Sequence, residues 1–189
     1  MNCSMILNLI REAHPGALKG CLLADELPTS RITSKKPVMY IVNTLTSNAP
    51  IGAMGHFILF FIRKNDFVYF DSFNLHPRIH GKHIADFYNK QIKGRKLRTL
   101  NFRVQSLNSH VCGAHVVYCA MIIIKYSSLN TVFKHLKSFY SHTNFNQNDR
   151  RVVEYIYRLS ADLPPCKVVF CSDIANYTAC IKNICRTRS

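Results

Sequence analysis

Apolar residues recur at helical spacing from Ser4 to Ala13, and His14-Pro15-Gly16 ends that pattern, which predicts a first helix over 4–13. Residues 17–36 keep no period, carry Pro28 with several Ser and Thr, and read as irregular. The spacing then changes. Pro37–Asn43 and Phe57–Ile62 are short apolar runs of the kind that form buried strands, and a loop over 48–55 separates them. Lys64-Asn65-Asp66 is a tight turn, so Phe67–Phe70 pairs back on the second run as a hairpin. Ile79–Lys93 returns to helical spacing, with Ile84, Phe87, Tyr88 and Ile92 on one face. In Arg98–Val104, Leu100 and Phe102 alternate with polar neighbours, which predicts a strand. Helices are predicted over 112–126, 129–140 and 149–159, and Pro164-Pro165 breaks the pattern before a cysteine-rich tail. This order predicts an α+β fold for a single domain over 1–189, with a small mixed, mostly antiparallel sheet packed with helices.

Composition sets the surroundings. A chain of 189 residues, 48% of them hydrophobic, can bury a sizeable core. The apolar run Val116–Ile124 is far shorter than a bilayer span, so no membrane partner is expected. Arg11 and Glu12 interrupt the apolar start and no small-residue cleavage site follows, so the protein is expected not to be secreted. Its eight cysteines are then expected to stay reduced, most of them as packing residues. Cys166-x4-Cys171 and Cys180-x4-Cys185 form a symmetrical quartet at the wide limit of zinc-ligand spacing. Inert thiols are the plainer reading, and no metal or organic cofactor is expected.

Charge changes the picture further. The net charge is +15, and no carboxylate lies between Asp86 and Asp149. Within that gap KQIKGRKLR carries Lys90, Lys93, Arg95, Lys96 and Arg98, a candidate nucleic-acid contact. A solvated basic face is the bland alternative.

The candidate chemistry centres on QSLNSHVCGAHVVYCAMIII, where Gln105 precedes Cys112 by seven residues and Cys112 opens the most apolar helix. A helix N-terminus and a neighbouring imidazolium both lower a thiol's pKa, and the thiolate is the nucleophile. His56 lies where a loop enters the Phe57–Ile62 strand, and Asp71 ends the partner strand of the hairpin. Both therefore lie at the hairpin's open end, where a carboxylate can fix the tautomer of an imidazole base. The Gln105 amide and the Cys112 backbone N–H can serve as donors to a developing oxyanion. Singly, each has a plainer role: a core histidine, a turn cap, a buried helix thiol like Cys119. In the order His, Asp, Gln, Cys they make one candidate site.

From about Tyr40 to Ile124 the chain resembles the adenovirus-type protease family, the adenains. IVNTLTSNAPIGAMGHFILFFIRKNDFVYFDSF and QSLNSHVCG carry the resemblance. It implies a cysteine endopeptidase with His56 as base, Asp71 as its orienting carboxylate, Gln105 as oxyanion donor and Cys112 as nucleophile. It also implies viral capsid and core precursors as substrates, cleavage after glycine, DNA as an activator, and location in the virion and infected-cell nucleus. A monomer is expected. The sequence departs from the family in four places, one of them a slightly shorter hairpin between His56 and Asp71. Asp71 replaces the usual Glu, Phe57 replaces a common Trp, and no cysteine lies between Cys21 and Cys112 to tether an activating peptide. Two alternatives stand beside this reading: a protease of SUMO- or ubiquitin-like proteins with the same fold and residue order, and a non-enzymatic basic DNA-binding virion protein.

Overall fold

Phe57–Ile62 is apolar at every position because both faces of its strand are covered. In the computed structural model, which describes residues 3–13, 16 and 18–161, this strand is β3, the centre of a five-stranded sheet ordered β1-β2-β3-β4-β5. The other strands are β1 (Gly20–Leu23), β2 (Val38–Asn43), β4 (Asp66–Asp71) and β5 (Lys96–Arg98). β2 and β4 pair with β3 antiparallel, whereas β1 joins β2 and β5 joins β4 in parallel. The protein is therefore α+β, with a mixed sheet evenly divided between the two kinds of pairing.

Side-chain alternation splits the core in two. On one face Phe57, Leu59 and Phe61 join Met39, Ile41, Val68 and Phe70 in a layer covered by helices α1 (Cys3–Ala13) and α3 (Cys112–Lys125). Helices α4 (Leu129–Phe139) and α5 (Phe145–Ala161) complete that layer. On the other face Ile58, Phe60, Phe67 and Tyr69 pack under α2 (Lys82–Ile92) through Ile84, Phe87 and Tyr88. Phe60 anchors this second layer, its ring 5.6 Å from Phe67 and 5.0 Å from Phe87. α3 runs through the larger layer, and every residue from Gly113 to Ile123 is buried, as expected of a helix apolar on all sides.

The structure differs from the sequence-based expectation at four places. Residues 20–23 form a strand inside the stretch read as irregular. Four residues are too few to show a period, and the parallel partner lies about twenty residues away. The strand expected over 98–104 stops at Arg98, because Asn101 takes a left-handed backbone (φ 63°) that no ladder accommodates. The helix expected over 79–93 is broken: a 3₁₀ turn, Pro77–His80, precedes α2, and Gly81 between them has φ 93°. That conformation favours glycine. α5 starts at Phe145 rather than 149, because the Asn144 side chain accepts from Gln147 N at 3.0 Å and caps the earlier turn. No helix of the described residues is long and apolar enough to cross a membrane.

Candidate active site

The hairpin register dictates the first contact. Asp71 lies opposite Ile58, and His56, two residues before Ile58, shares its face by strand periodicity. Thr44 holds His56 from both sides: its backbone N–H donates to His56 O at 2.8 Å, and its Oγ1 accepts from His56 N at 2.9 Å. The His56 ring stacks on Phe73, with centroids 5.0 Å apart. Its Nε2 lies 2.8 Å from Asp71 Oδ1. An ionised carboxylate only accepts, so Nε2 carries the proton and Nδ1 is the nitrogen left for another partner.

Cys112, at the first turn of α3, lies near enough for its thiol and the imidazole to shift each other's pKa. Burial lowers the His56 pKa, but the Asp71 hydrogen bond and charge, with those of Cys112, outweigh it and raise it to about 9. Burial raises the Cys112 pKa; the His56 hydrogen bond and charge, aided by backbone hydrogen bonds at Phe57 and Gly113, bring it below the ordinary thiol value. Each shift favours the charged form of its own group, imidazolium for His56 and thiolate for Cys112.

Asp71 is buried and its two oxygens are shared out. Oδ1 accepts from His56 and from Phe73 N at 2.8 Å. Oδ2 lies 2.7 Å from His80 Nε2 and 3.3 Å from the Tyr69 hydroxyl, whose single proton is better placed on Leu75 O at 2.8 Å. Burial raises the carboxyl pKa, but the histidine and backbone donors hold it well below the usual carboxylate range. His80 was not among the sequence candidates. Its only signal was a position nine residues past Asp71, just before Gly81. His56, Asp71 and His80 bring three polar atoms within 4.8 Å of one another, and both Nε2 atoms are spent as donors to the carboxylate.

Gln105 is fully buried in the loop before Cys112. Its Oε1 accepts from Ser72 Oγ at 2.5 Å, and the backbone N–H groups of Val104 and Gln105 both donate to Ser72 O. Its Nε2 faces Ser109, 2.8 Å from the carbonyl and 3.1 Å from Oγ. The amide thus sits buried in the loop that leads to the thiol, its oxygen held by Ser72 and its Nε2 by Ser109. On the sequence-based expectation that this amide serves an oxyanion, Gln105→Ala would lower kcat about 10²–10³-fold with little change in KM, measured on a peptide substrate.

A second buried pair braces this loop. His115, one turn into α3, places Nε2 2.8 Å from Asp149 Oδ1 and Nδ1 3.1 Å from the Tyr140 hydroxyl. Asp149 also accepts from Ser106 N at 3.2 Å, linking α5 to the residue after Gln105. Burial, only partly offset by Asp149, lowers the His115 pKa, so this imidazole is neutral and structural. Asp149→Ala leaves donors at His115 and Ser106 without an acceptor and is expected to destabilise the fold by about 1–3 kcal/mol, read by chemical denaturation.

The basic segment divides into two kinds of residue. Arg95 is an internal clip, donating to Arg63 O at 3.0 Å, Gln91 O at 2.6 Å and Ile32 O. Arg98 pairs with Asp66 at 3.2 Å and with Asn130, and Lys90 reaches Thr29 O. Lys93 and Lys96 are exposed. Cys3, Cys21, Cys112 and Cys119 are free thiols, and burial pushes the Cys119 pKa up. The quartet Cys166, Cys171, Cys180 and Cys185 lies outside the described residues.

The loops around the site carry exposed apolar side chains: Ile51 and Met54 before His56, Leu75 and Ile79 between Asp71 and His80, and Leu107 between Gln105 and Cys112. Searches of protein-family models and of curated proteins match nothing to this chain.

Proposed function

We propose that this chain is a cysteine endopeptidase of the adenain type, with Cys112 as nucleophile, His56 as base and acid, Asp71 as the orienting carboxylate and Gln105 as an oxyanion donor. The observation that carries the reading is His56, fixed through Nε2 to a buried carboxylate, with its other nitrogen left free beside a thiol at a helix N-terminus with which it interacts. The Cys112 thiolate attacks the scissile carbonyl, and the Cys112 N–H and Gln105 amide receive the negative oxygen. His56 Nδ1 protonates the leaving amine and then activates the water that releases the acyl group. On this reading the exposed apolar residues on the flanking loops would meet the side chains of an extended substrate. On this reading the substrates are viral precursor proteins cut after glycine, in the virion and the infected-cell nucleus, and the protein acts as a monomer.

DNA is the proposed activator. Of the five basic candidates, Lys93 and Lys96 present the freest charges. Changing both to glutamate is expected to weaken duplex binding and to reduce the slope of log affinity against log salt by about two, measured by fluorescence anisotropy. An activating peptide, if used, is held without the disulfide tether of the family, since no cysteine lies between Cys21 and Cys112.

The decisive experiment is hydrolysis of a glycine-containing peptide library by the purified chain, with and without DNA. Cleavage after glycine, faster with DNA and lost in Cys112→Ala, supports the proposal. Cleavage of a SUMO or ubiquitin reporter without cleavage of virion precursor sequences would replace it with the modifier-protease reading. DNA binding with a thiol inert to peptide warheads would leave only the virion-protein reading.

A further inference from the structure

We propose that His80 is a positioning residue of the active site, acting on His56 through the carboxylate they share; this rests on the reading of His56, Asp71 and Cys112 as a triad. A carboxylate held at one oxygen can still rotate about its Cβ–Cγ bond. Here the second oxygen is held as well, by a histidine whose side chain is only 7% exposed. The Tyr69 hydroxyl has one proton, and its shorter contact is to Leu75 O, so His80 is the principal donor to Oδ2. The Asp71 carboxylate plane is thereby fixed between two Nε2–H groups.

Proton placement carries the rest. Because Asp71 only accepts, both histidines keep their protons on Nε2. Holding Asp71 in place therefore holds His56 in the tautomer whose Nδ1 faces Cys112. The His80 ring also stacks on the His56 ring, with centroids 5.5 Å apart and planes inclined by 27°. Two such contacts restrict both the rotation of the base about its own axis and the rotation of its anchor.

The local chain is built to return His80 to this spot. After Asp71 the backbone turns at once, Asn74 N donating to Asp71 O at 3.0 Å. Pro77 starts a 3₁₀ turn closed by Ile79 N to His76 O at 2.9 Å, and His76 Nδ1 accepts from Arg78 N at 3.2 Å. Gly81 then lets α2 leave in a new direction, so His80 stays outside the helix and beside Asp71. The broken helix is what this contact requires.

The test compares His80→Gln, His80→Asn and His80→Ala with the wild type and with His56→Ala. A glutamine amide reaches the Nε2 position; an asparagine amide falls a bond short. Alkylation of Cys112 by iodoacetamide, followed against pH by mass spectrometry of its peptide, reports the thiolate whether or not a substrate is known. Peptide hydrolysis gives kcat and KM. In His80→Ala and His80→Asn, the pH at which Cys112 becomes reactive should move up towards an ordinary thiol, and kcat should fall about 10²-fold at unchanged KM. His80→Gln should recover most of both. A folded His80→Ala or His80→Asn with wild-type pH profile and kcat overturns the inference, as does a His80→Gln as impaired as His80→Asn. A Cys112 that depends on His56 but ignores His80 leaves the protease reading standing alone. A wild-type Cys112 of ordinary reactivity, indifferent to His56, overturns both.

Discussion

Cys112→Ala is expected to lower kcat on a cleavable peptide by about six orders of magnitude while the fold and any DNA binding persist. The residue begins a helix whose buried positions start at Gly113, so truncating its side chain removes the nucleophile and little packing. The pH dependence of the wild type sharpens this expectation. Reactivity appears as pH rises through the lowered Cys112 pKa, when the thiolate forms. Above about 9 the His56 imidazolium gives up its Nδ1 proton and can no longer protonate a leaving amine. Peptide hydrolysis should therefore follow a bell, whereas iodoacetamide alkylation, which needs no acid, should rise and stay high. Parallel pH profiles of the two reactions check this. A hydrolysis rate that does not decline at the alkaline end would remove His56 as the acid.

Asp71→Asn is expected to reduce kcat by about four orders of magnitude. Two histidines, one backbone N–H and a tyrosine hydroxyl converge on this carboxylate. An amide offers one oxygen and one NH₂ in place of two oxygens. If its oxygen faces His56 and Phe73 N, its NH₂ meets His80, which must change tautomer. In the reverse orientation the NH₂ opposes two donors. The charge is lost in both, which removes the Asp71 contribution that offsets burial of His56, and its pKa falls from about 9. The ion pair then collapses to neutral thiol and neutral imidazole. NMR titration of the His56 ring would show the fall directly. The same substitution alters acid stability. Wild-type Asp71 has a folded pKa below the ordinary 3.8, so its contribution is present above 3.8 and is lost as pH falls towards the folded value. The variant should lack that component of acid unfolding.

Much of this site was legible before any coordinates. His56 and Asp71 are placed by hairpin register alone: FILFFI and the run ending at Asp71 are joined by a three-residue turn, and period two puts both side chains on one face. Cys112 is placed by a helix whose composition admits no other structure. The sheet's outer strands were not legible, because β1 and β5 are short and their partners are distant. His80 was hidden for a related reason. Its helical spacing with Ile84, Phe87 and Tyr88 assigned it to α2, and only the left-handed backbone at Gly81 removes it. The basic segment was legible as charge but not as role. Sequence does not distinguish Lys93, which faces solvent, from Arg95, whose guanidinium is enclosed by backbone carbonyls.

The Ser72 carbonyl receives both Val104 N and Gln105 N, while its hydroxyl fixes the Gln105 side chain. The Asp71 side of the site and the Gln105 side are therefore riveted at one peptide group. Everything the chain does between His80 and Val104, including α2, β5 and the basic segment, is an excursion that leaves and rejoins a closed junction. Within it α2 and β5 are held by the core and by β4, but the exposed turn around Lys93 and Lys96 can change its charge without altering the spacing of the reacting groups. It is where related chains would be free to diverge in what they bind while keeping the same chemistry.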